Sequence, residues 1–89
     1  MPDMDIAARI MRLLAARAPG ATLCPSEVAR DIAPADWRPL MPAVREIAAD
    51  MARTGAIEIT QRGVVIEPDK PVHGPIRLRR SKQNSSSAD

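Results

Sequence analysis

Apolar positions recur every three to four residues from Ile6 to Met51 and then alternate with polar ones from Ile57 onward. The first spacing predicts helices and the second predicts strands. In the first predicted helix Ile6, Ile10, Leu13 and Leu14 form one stripe, with Arg9 and Arg12 outside it and Asp3 as the expected cap. "APG" at 18–20 stops it. "ATLCPSEVARDIAP" then reads as an extended Thr22-Leu23, an N-cap at Cys24, Pro25 at the favoured first helical position and Glu27 in the acid-preferring first turn. Val28, Ala29 and Ile32 are the buried side of this second helix, and Pro34 closes it.

A tight "APAD" connection leads into "DWRPLMPAVREIAADMARTG" at 36–55. At 100° per residue, Trp37, Leu40, Met41, Val44, Ile47, Ala48 and Met51 share one face, the expected buried stripe of a third helix. Arg38, Pro42, Arg45, Ala49 and Arg53 lie on one outward flank, and Pro39, Glu46 and Asp50 on the other. A proline inside a helix costs about 3 kcal/mol. The less costly arrangement is a short turn through "DWRPL" and a regular helix that begins near Pro42.

After Gly55, a natural residue just past a helix end, Ile57 and Ile59 alternate with Glu58 and Thr60, "QRG" turns, and Val64 to Ile66 return as a hairpin. "GPIRLRR" at 74–80 alternates again, either as an added edge strand or lying along the sheet. The predicted fold class is α+β: a winged helix-turn-helix of three helices followed by a β-hairpin wing, with a short strand between the first two helices. One domain is expected over residues 3–80. The polar "SKQNSSSAD" at 81–89 is expected to be a disordered tail.

Composition narrows the chemistry. With one Trp and no Phe or Tyr in 89 residues, aliphatic side chains and Met must fill the core, and stability should be only a few kcal/mol, as in other short chains. A single Cys (Cys24) and a single His (His73) exclude an intrachain disulfide and a zinc site. No metal or cofactor is expected. Neither a nucleophile triad nor a glycine-rich phosphate loop can be assembled, so the chain is not expected to be an enzyme. No apolar run is long enough to span a membrane, and the N-terminus does not read as a signal peptide, so a cytoplasmic location is expected.

The net charge is +2, but its distribution is uneven. From Met1 to Thr60 seven Arg face eight acids, whereas Gln61 to Lys82 holds four Arg and two Lys against Glu67 and Asp69. The basic character belongs to the C-terminal quarter.

"CPSE" at 24–27, Trp37-Arg38, Leu40-Met41, Val44-Arg45, "ITQRG" at 59–63 and "GPIR" at 74–77 together resemble a small bacterial family of the domain-of-unknown-function series, number thirty-two fifty-three. The resemblance covers roughly Asp5 to Arg80. It implies a winged-helix fold and assigns no activity.

The functional expectation therefore rests on charge. Arg38, Arg45, Arg62, Arg77, Arg79, Arg80 and Lys82 are the candidate contacts to double-stranded DNA, directed at phosphates because both prolines stand where base-reading groups would be. The alternative is a protein partner on the same scaffold, suggested by Glu46 and Asp50 beside the arginines. Single-stranded RNA is disfavoured for want of an aromatic platform. Trp37 and Cys24 read first as a core plug and a helix cap.

Overall fold

A computed structural model of the chain describes residues 5–69 and 74–81. Helix α1 (Ile6–Ala15) opens on its first buried residue, and its cap is Asp5, whose Oδ1 accepts from the Ala8 N–H at 3.1 Å. The expected cap, Asp3, lies outside the described residues. A cap must stand three residues before the N–H it satisfies, and with Ile6 as the first helical residue that place falls to Asp5. Ile6, Ile10 and Leu14 are buried, and Leu13 packs half-buried beside them.

After the turn through Gly20, strand β1 (Thr22–Leu23) leads directly into helix α2 (Pro25–Ile32). Its start is held reciprocally: the Cys24 N–H donates to Glu27 Oε2 at 2.9 Å, and the Glu27 N–H donates to the Cys24 carbonyl at 2.9 Å. The other Glu27 oxygen pairs with Arg17, and Arg9 pairs with Asp31, so two ion pairs tie α2 to α1 and its following turn.

Burial works against the Glu27 carboxylate, but the Cys24 N–H and the Arg17 guanidinium outweigh it, with Arg77 adding a little, so Glu27 titrates below its ordinary value of 4.5. A lowered folded-state value means that the stabilisation is complete above the unfolded-state value and is lost as pH falls through the folded one. The difference in urea midpoint between wild type and Glu27→Ala should therefore be larger at neutral pH than at about pH 3. An equal difference at both would show that the carboxylate charge contributes nothing.

The chain next makes a short 3-10 turn at Arg38–Leu40 and enters helix α3 (Met41–Arg53). Pro42 is the second residue of α3, where its missing N–H would have had no partner within the helix. The two prolines thus separate turn from helix without breaking either. Val44 and Ala48 are fully buried, whereas Trp37, Leu40, Met41, Ile47 and Met51 pack half-buried around them. Gly55, at φ +86°, closes α3: its N–H reaches the Ala52 carbonyl and the Ala56 N–H reaches that of Met51, the paired bonds of a left-handed helix end.

Strands β2 (Ile57–Gln61) and β3 (Val64–Val65) form the hairpin, and β4 (Arg77–Arg80) completes a four-stranded antiparallel sheet in the order β1-β4-β2-β3. The segment 74–80 is thus a strand from Arg77, and an inner one rather than an edge. Leu78 stands opposite both Leu23 and Ile59, and all three side chains are buried. The inner strand carries Arg77 and Arg79 on the sheet face away from the helices, while Arg80 is half-buried opposite Ile57. The fold is α+β, with the helices packed on the Leu23–Leu78–Ile59 face of the sheet. Among the described residues no helix is long and apolar enough to cross a membrane.

Candidate nucleic-acid interface

Residues opposed across antiparallel strands share a face, so Thr22, Arg79 and Glu58 stand together on the side away from the helices. Arg79 Nε lies 2.8 Å from Glu58 Oε1 in a half-buried ion pair. Arg77 Nε donates to Thr22 Oγ1 at 2.9 Å. Both side chains expected to contact DNA are therefore engaged within the sheet, on a face remote from α3. Arg80, half-buried opposite Ile57, alternates with Leu78 onto the helix-facing side. Lys82 lies outside the described residues, as do His73 and the tail from residue 82 onward.

The α3 side holds a different set. Arg53 is bound by Asp69 and by Asp50, and Asp69 foremost raises its pKa further above the ordinary value, so this charge is already answered. Arg45 donates to the Gly74 carbonyl at 3.3 Å. The Gln61 side-chain amide donates to the next carbonyl, that of Pro75, also at 3.3 Å. Segment 74–75 thus bridges the middle of α3 to the end of β2. Beyond Gln61, Arg62 and Gly63 form the two-residue hairpin loop, both with positive φ (+55° and +83°), and Arg62 is exposed at its tip.

Left-handed backbone is costly for a side chain such as Arg, whereas Asn adopts it readily. Arg62→Asn should stabilise the fold by about 0.5–1 kcal/mol in urea unfolding while weakening attachment to duplex DNA. Unchanged or greater DNA affinity in that variant would remove Arg62 from the interface.

At the other end of α3, Trp37 packs half-buried on the core and carries two guanidiniums over its ring, Arg30 at 4.4 Å and Arg38 at 4.7 Å from the centroid. Arg30 is exposed in the last turn of α2 and was no part of the sequence-derived set. Its place depends on the "APAD" turn folding α2 back against Trp37, seven residues on. The only signal available in the sequence was a basic residue on either side of a lone indole.

Between α3 and the hairpin runs a groove of about 240 Å³, lined by Arg45, Glu46 and Ala49 above an apolar floor of Ile59, Ile66, Pro68 and Ile76. Glu46 therefore shares its rim with Arg45, while Asp50 is held by Arg53. Cys24 is half-buried with Sγ 3.1 Å from Ser26 Oγ, which fits its place at the start of α2.

A family model described as protein of unknown function (DUF3253) matches residues 3–81, nearly the whole chain. The chain belongs to that family. No curated protein matches it. The residues of "CPSE", Trp37-Arg38 and "ITQRG" have structural roles here: a reciprocal helix start, a stacked turn and a hairpin loop. The matched span also takes in β4, the inner strand on which the sheet depends.

Proposed function

We propose that the chain is a winged-helix domain that attaches weakly to double-stranded DNA through phosphates, and that it acts by binding rather than catalysis. The connectivity supports the fold reading: helix, strand, two helices, then a strand whose antiparallel return pairs with the first. The wing is the β2–β3 hairpin, with the Arg62 loop at its tip.

The observation that carries the functional reading is how the arginines divide. Arg9, Arg17, Arg53 and Arg79 are committed to carboxylates, whereas Arg38 at the entry to α3 and exposed Arg62 at the hairpin tip have no carboxylate partner among the described residues. Arg45 lies on α3 between them. Guanidinium forks on the helix-turn and on the wing suit contact with a phosphate backbone, which favours this reading. Pro39 and Pro42 occupy exposed positions at the start of this segment and offer no donors, so sequence preference should be slight.

Fluorescence anisotropy of a labelled random-sequence duplex, titrated at low salt, tests this. Saturable binding shared by unrelated duplexes is expected, and no binding at low salt would end the DNA reading. In that event the α3–hairpin groove becomes the surface of interest. Its apolar floor beneath Arg45 and Glu46 suits a protein partner that presents an apolar side chain flanked by charges of both signs, not a polyanion.

A further inference from the structure

The Arg30–Trp37–Arg38 cluster has a property that the carboxylate-bound arginines lack. A guanidinium stacked on an aromatic ring spends its π face on the contact, leaving its five N–H donors around the edge. One bound to a carboxylate has given up to two of those donors to it, and its charge is already answered. Stacking therefore restricts the side chain's motion without consuming the groups that bind an anion, and it reduces the ordering cost of a later contact.

Two like charges on one indole also repel each other, and the separation between them cannot exceed the two ring distances together. Of the acids nearest in sequence, Asp31 beside Arg30 pairs with Arg9 instead, and Asp36 forms no ion pair with either arginine among the described residues. Neither Arg30 nor Arg38 has a carboxylate partner among the described residues. An anion placed against both edges would relieve the repulsion and meet preset donors. Both arginines are exposed, one from the end of α2 and the other from the entry to α3, and Trp37, itself packed on the core, brings them to one ring.

We infer that Arg30 and Arg38, set on Trp37, form a phosphate clamp that takes the duplex backbone at the turn between α2 and α3. This rests on the proposed DNA binding and adds to it a specific contact, with Trp37 as its positioning residue. The clamp has a built-in reporter, because Trp37 is the single aromatic residue of the chain. A phosphate that draws on the stacked guanidiniums changes the surroundings of the indole directly.

The test titrates wild type, Arg30→Gln, Arg38→Gln and the double variant with a random-sequence duplex. Anisotropy of the labelled DNA and Trp37 emission are read together, with thermal melts confirming that each variant is folded. The clamp is expected to give a salt-sensitive change in Trp37 emission in the wild type. Each single substitution should weaken binding several-fold and lower the salt slope by about one. Arg38→Lys should recover only part of the affinity, since it restores charge without the stacked fork. If the wild type binds DNA but Trp37 emission does not respond, and the double variant keeps the full affinity and slope, the clamp is overturned while the proposed function stands. If the wild type does not bind at low salt, both are overturned.

Discussion

Leu78→Ala should cost about 3 kcal/mol, a large share of the few kcal/mol expected for a chain this short. Leu78 is fully buried on an inner strand and touches the side chains that close the sheet on both sides, Leu23 of β1 and Ile59 of β2. Truncation removes apolar area from water-excluded packing and leaves a cavity between two neighbouring strands and the helices above them. A core without Phe or Tyr has few large groups that could move in to fill it. Leu13→Ala, on a half-buried position of α1, should cost clearly less. Urea unfolding followed by Trp37 emission compares the two, and equal losses would contradict the inner position of β4.

Duplex affinity should fall about a hundredfold when monovalent salt rises from about 50 to about 200 mM. Each neutralised phosphate contributes roughly −0.9 to the slope of log affinity against log salt. Four contacts, from Arg30, Arg38, Arg45 and Arg62, give a slope near −3.6 by that rule. The seven cations read from the sequence would instead give a slope near −6 and a loss of several thousandfold. The slope thus distinguishes an interface confined to the α3 side from one that also uses the outer face of the sheet. Replacing Arg79 by Gln should leave the slope unchanged, because Glu58 already engages that guanidinium.

Much of the architecture was legible because local rules agree along this chain. Stripe spacing marked α1 to α3, Pro25 and Glu27 marked the start of α2, and the cost of an interior proline placed the start of α3 beside Pro42. "QRG" and the alternation around it marked the hairpin. Strand order was not legible, since alternation around Leu78 shows which faces are buried but not which neighbours pair. The set of candidate DNA contacts changed for the same reason. Arg77 and Arg79 look like wing cations until the register brings Thr22 and Glu58 beside them. Arg30 entered the picture only through the fold of the turn that lays it over Trp37.

The most direct test of the account follows backbone amide shifts during titration with a random-sequence duplex at low and near-physiological salt. Shifts are expected at Arg30, Trp37, Arg38, Arg45 and Arg62, diminishing as salt rises, with Thr22, Glu58, Arg77 and Arg79 unmoved. Shifts centred on that outer sheet face, or none at low salt, would contradict it.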